Sequence, residues 1–112
     1  MQKQRAKTTK QPCSRPCPIE RGMRIIGGKW TGSILWHLKD EPVRFNNLAR
    51  QLGVASKKVI NDRLKEMEAN KLVKRKVIKS KPIAVTYELT NFGKTALKFL
   101  EDLKDWTIEN KL

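Results

Sequence analysis

Two alternating runs, Leu72 to Ile78 and Ala84 to Leu89, flank a turn containing Ser80 and Pro82. The pattern predicts one antiparallel β-hairpin whose second strand points Val85, Tyr87 and Leu89 inward. The first strand alternates less cleanly. Arg75 shares a face with Val73 and Val77, so its aliphatic stem is expected along the core edge, with its charged head in solvent or on a phosphate. Within KRKVIKSKP, Lys74 to Pro82, five of the nine residues are cations. Lys79 and Lys81 flank the tip, where no packing demand accounts for them.

Upstream of this hairpin the chain reads as a tail and four helices. Its 112 residues leave room for one small domain. Residues 1–16 are basic, poor in hydrophobic side chains and carry two prolines, which predicts a disordered tail ahead of one continuous domain over 17–112. Pro18 suits the first position of a helix and Glu20 its positive first turn; Gly27-Gly28 ends that helix. A second helix is expected from Lys29 to Leu38, burying Trp30, Ile34, Leu35 and Leu38 until Asp40-Glu41-Pro42 breaks it. A third covers Phe45 to Leu52. Ser56 is placed to cap a fourth, whose apolar positions are Val59, Ile60, Leu64 and Met67. The expected fold is mainly α with a small antiparallel β-hairpin, in the order of a winged helix-turn-helix.

Charge narrows the choice of partner. With 25 Lys and Arg against 11 Asp and Glu, the formal charge is +14, so a polyanion is the default: DNA, RNA or an anionic membrane. Residues 57–90 hold ten basic and four acidic groups, whereas residues 91–112 hold four of each. Such concentration suggests a binding face rather than general solubility. No apolar run approaches the roughly 20 residues that span a bilayer, and Met1 to Gln11 lacks the apolar segment of a secretory signal, so a cytoplasmic protein without membrane attachment is expected.

On a helical wheel, Lys58, Asn61, Asp62 and Lys65 lie opposite the apolar side of the fourth helix, with Lys57 on its flank. Ser56, Lys57, Lys58, Asn61 and Lys65 are therefore the candidate DNA contacts of a recognition helix, and Lys79 and Lys81 those of a wing. Lysines reach phosphates or guanine edges, and an asparagine can offer adenine both a donor and an acceptor. Asp62 either accepts from a cytosine or turns aside to a neighbouring lysine. An ordinary solvated helix face is the competing reading.

The segments CPIERGMRIIGGKW (Cys17 to Trp30), RFNNL (Arg44 to Leu48), LKEMEANKLVKR (Leu64 to Arg75) and YELTNFG (Tyr87 to Gly93) resemble the HxlR-type family of winged-helix regulators, relatives of the MarR group. The resemblance spans about residues 17 to 106. It implies a homodimeric transcription factor that recognises an inverted repeat in double-stranded DNA, with dimer contacts from the first and last helices. The chain departs from the family pattern at Asn70-Lys71, where an acidic residue followed by glycine is common. The recognition-helix surface varies within the family, so no operator sequence carries over.

The residues themselves offer a dimer seam. Phe92, Ala96, Phe99, Leu103 and Trp106 recur at intervals of 4, 3, 4 and 3, the repeat that keeps a stripe facing a partner helix, and Ile19, Met23 and Ile26 repeat it briefly. Packing of both stripes within one subunit is the alternative. In a two-fold dimer the recognition helices should meet successive major grooves about 34 Å apart.

Cys17 falls at the N-terminal end of the first helix, where the helix dipole and Arg15, Arg21 and Arg24 favour a thiolate. In the resembled family a cysteine before this proline is common, and some members use it to sense quinones, hypochlorite or other electrophiles. Cys17 is thus the candidate redox sensor. Cys13 either resolves an oxidised Cys17 or belongs to the tail. Two thiols three residues apart need further ligands for zinc, and His37 is expected to be packed inside the second helix, so neither metal nor cofactor is anticipated. No phosphate loop, activated nucleophile or paired carboxylates suggest an enzyme. Three functional classes stay open: an operator-specific regulator, an architectural DNA-binding protein of low specificity, and a winged helix that docks onto protein.

Overall fold

The computed structural model describes residues 17–112, the side chains of Lys79 and Ser80 excepted; the tail and Cys13 lie outside them. Helix α1, Pro18–Ile26, starts with Pro18 in its first turn and carries Glu20 there. Helix α2, Thr31–His37, is shorter than expected because Trp30 sits at φ 75°, a left-handed conformation that no right-handed helix can continue through. Trp30 is consequently only half-buried, while Ile34, Leu35 and Leu38 are buried. His37, expected to be packed, is exposed, with Nδ1 2.7 Å from the Ser33 carbonyl oxygen.

A two-residue strand β1, Val43–Arg44, precedes α3, Phe45–Gln51. It was not foreseen, since two residues are too few for alternation to register. The hairpin is therefore part of a three-stranded antiparallel sheet in the order β1-β3-β2, with β2 over Val73–Ser80 and β3 over Ile83–Leu89. Val43 pairs with Tyr87 and Arg44 with Thr86; on the other side Arg75 pairs with Tyr87 and Lys76 with Thr86. An irregularity between Val77 and Lys79 breaks the ladder near the tip, and Lys81-Pro82 forms the turn.

Helix α4, Lys57–Ala69, begins where Ser56 Oγ accepts from the Val59 amide at 3.1 Å, the cap expected of a serine there. Its C-terminus closes as a Schellman motif: the Leu72 amide donates to the Met67 carbonyl and the Lys71 amide to that of Glu68, both at 2.9 Å. That geometry places Lys71 at φ 64°. Ile60, Leu64 and Met67 enter the core with Ile34, Leu35, Leu48, Leu72 and Val73, whereas Val59 stays 39% exposed.

Helix α5, Asn91–Glu109, is tied to the base of the hairpin. The Thr90 hydroxyl donates to the Lys71 carbonyl at 2.6 Å and accepts from the Gly93 amide at 2.9 Å. Gly93 is buried against the Leu72 carbonyl, where any side chain would collide with backbone. One side of α5 packs Leu97 and Leu100 onto the core. The other leaves Phe92, Phe99, Leu103 and Trp106 uncovered, as α1 leaves Ile19 and Met23, all six between 44% and 76% exposed. Ala96 and Ile26 are half-buried. Among the described residues, no helix is long and apolar enough to cross a membrane.

Candidate nucleic-acid interface

Helix α3, a tight turn and α4 form the helix-turn-helix. In the turn, the Ala55 amide donates to the Leu52 carbonyl at 2.8 Å, and Leu52 is buried. Burial of Ile60, Leu64 and Met67 fixes the rotation of α4 and turns Lys57, Lys58, Asp62 and Lys65 to solvent. Asp62 does turn aside: Lys58 Nζ donates to its Oδ2 at 3.0 Å. The hydrogen bond from Lys58, and then the charge of the same ammonium group, hold the Asp62 carboxyl below the usual carboxylate range; desolvation opposes them, and Lys65 and Arg63 add to the lowering. Arg63 is engaged by Glu66 at 2.6 Å.

Asn61 differs from its neighbours. It is half-buried and lines a cleft of about 380 Å³ whose other walls include Arg44, Arg75, Tyr87, Pro82 and Ile83. Helix α4 and the hairpin thus border one concave surface. Lys76 and Lys81 on the hairpin are exposed, and Lys74 lies 3.7 Å from Glu88. Lys79 contributes its backbone to the ladder with Ala84. Arg44 was absent from the predicted contacts; the motif RFNNL contained it, but only β1 pairing with β3 brings it to the cleft.

Cys17 is the N-cap residue of α1, at φ −61° and ψ 141°, and is half-buried. The exposed Ile19 and Met23 follow within two turns of the same helix.

The HxlR-like helix-turn-helix profile matches residues 25–111, from the end of α1 through α5. This chain belongs to that family. As an HxlR-like protein it is a helix-turn-helix transcriptional regulator with the winged-helix fold. An uncharacterized HTH-type transcriptional regulator of Halalkalibacterium halodurans is 41% identical over 95 residues, covering 84% of each chain. The HTH-type transcriptional regulator YodB of Bacillus subtilis is 33% identical over 91 residues, 80% of this chain and 81% of its own. Among solved structures, the redox regulator HypR in its reduced form matches with a TM-score of 0.80 at 34% identity, over 84% of this chain and 93% of that one. Quinone-bound and diamide-treated YodB match with TM-scores of 0.72 and 0.69, at 31% and 32% identity, each over 83% of this HxlR-like chain and over 98% and 93% of their own. The departure at Asn70-Lys71 acquires a structural meaning, because Lys71 holds the left-handed position that glycine fills without strain.

Proposed function

We propose that this HxlR-like regulator is a homodimer that binds an inverted-repeat operator, with α4 in the major groove and the hairpin as a wing on the adjoining backbone. One observation carries the reading: Asn61 of α4 and Pro82-Ile83 of the hairpin line a single cleft, so a duplex seated on one element meets the other. Ser56, Lys57, Lys58 and Lys65 approach phosphates and guanine edges, Asn61 reads a base, and Lys79 and Lys81 grip the backbone. The exposed stripe Phe92, Phe99, Leu103 and Trp106, joined by Ala96 and by Ile19, Met23 and Ile26 of α1, forms the seam between subunits. The regulator works without catalysis or cofactor, in the cytoplasm.

The same seam supplies a route for control. The redox regulator HypR and quinone-bound YodB support a thiol-sensing role, for which Cys17 at the head of α1, two positions before the proposed seam residue Ile19, is the candidate. Its oxidation or alkylation would shift α1 and re-space the two recognition helices. A nuclease footprint across genomic DNA tests the proposal. It predicts discrete protected inverted repeats that weaken after diamide treatment. Diffuse coverage without preferred sites would favour an architectural role and contradict it.

A further inference from the structure

The cleft between α4 and the wing has features that base reading by Asn61 and gripping by the wing tip do not use. Several cations of α4 and the hairpin are paired: Lys58 with Asp62, Arg63 with Glu66 and Lys74 with Glu88. Arg44 and Arg75 have no acidic partner among the described residues, yet both line the cleft. Their positions are set by the sheet, not by flexible loops. Arg75 is held opposite Tyr87 in the β2-β3 ladder, and Arg44 opposite Thr86 in the β1-β3 ladder. Tyr87 is buried, and Ile83 adds an apolar wall beside it.

Arg75, without a counter-charge and level with Tyr87 on the sheet face that also carries Ile83, makes a seat for an anion with a small apolar body, and Arg44 borders the same cleft from β1. A guanidinium fork matches the two non-bridging oxygens of a phosphodiester. A deoxyribose fits the Ile83 side, and about 380 Å³ admits a sugar-phosphate unit but not a stacked base pair. We propose that Arg75, with Arg44, seats one backbone phosphodiester of the bound DNA at the junction of recognition helix and wing. The seat is a positioning contact. It anchors the hairpin and α4 to one stretch of backbone and leaves base reading to Asn61. This inference rests on the DNA-binding mode proposed above and assigns to it residues outside both the recognition-helix face and the wing tip.

The test compares the full chain with Arg75→Gln and Arg44→Gln in fluorescence titrations of operator and scrambled duplexes over a range of salt. Removing the phosphate contact should weaken both duplexes together, by roughly tenfold, and make the slope of log affinity against log salt shallower by up to about 0.9, the value for the one phosphate that both arginines share. Base preference should be unchanged. Duplexes carrying single neutral methylphosphonates locate the contact: one position should cost the unmodified protein affinity and cost Arg75→Gln nothing. Should Arg75→Gln fold poorly, Arg75→Lys keeps the charge but loses the fork, and should show an intermediate loss at the same methylphosphonate position. Wild-type affinity and salt slope in the arginine variants, or a changed base preference in place of a uniform loss, would overturn the phosphate seat while leaving the DNA-binding reading intact. Absence of duplex binding by the unmodified protein would overturn both.

Discussion

Lys58 Nζ lies 3.0 Å from Asp62 Oδ2, one turn along the exposed face of α4. The pair occupies a lysine of the proposed DNA-binding face and sets a negative charge beside it. Asp62→Asn frees Lys58 and raises the net charge by one. Affinity for operator and unrelated duplexes should rise together by several-fold, with the salt dependence steeper by about 0.9. The ionised Asp62 is favoured in the folded state, so the pair's contribution to helix stability is complete above the ordinary carboxylate range. It is lost as pH falls through the lowered Asp62 value. A carboxyl NMR titration should show Asp62 protonating below an ordinary aspartate, and Lys58→Ala should return it toward normal.

Lys71 occupies a left-handed C′ position at φ 64°, where a side chain costs about 1–2 kcal/mol. Glycine removes that cost and gives back part of it as chain entropy in the unfolded state. Lys71→Gly should stabilise the protein by about 0.5–1 kcal/mol, a few degrees in thermal melting for a domain of this size. Lys71→Ala, which keeps a Cβ in the same conformation, should not.

These two sites mark how far the sequence could be read. The serine cap on α4, the proline start of α1 and the hairpin follow from local chemistry, and each stands where the pattern put it. Asn70-Lys71 stood out only against the resembled family's pattern, and its left-handed geometry required the structure. Strand β1 escaped because its two residues are defined by pairing with β3, a partner more than forty positions away. The cleft escaped for a related reason. A helical wheel assigned Asn61 a direction, but whether that direction holds solvent, wing or DNA depends on the angle at which the hairpin leaves the core. His37 misled because Leu38 and not His37 faces inward at the end of α2.

The uncovered stripe on α5 leads to an oligomeric prediction. Phe99 and Leu103 are each close to half exposed in one subunit, and burying such side chains contributes about 1.5–3 kcal/mol each when complete. Sedimentation should find a dimer at micromolar concentration. Leu103→Glu and Phe99→Glu should yield folded monomers, with unchanged helical circular dichroism, that bind a half-site duplex as the original subunit does but lose most of their affinity for the full inverted repeat.

Cys17 is the N-cap residue of α1, two positions before Ile19 of the proposed seam. Cys17→Ser should bind the operator as the unmodified protein does and lose its response to diamide and to quinone. An unchanged response in the serine variant would move sensing elsewhere.

Whether α4 and the wing act as one DNA surface is measured directly by amide hydrogen exchange during titration with an operator duplex. Protection should appear together, with one affinity, in the Ser56–Lys65 segment and around Lys81-Pro82, and the amides of α5 beyond Phe99 should show none. Protection of only one of the two segments, or two different affinities for them, would contradict a single surface.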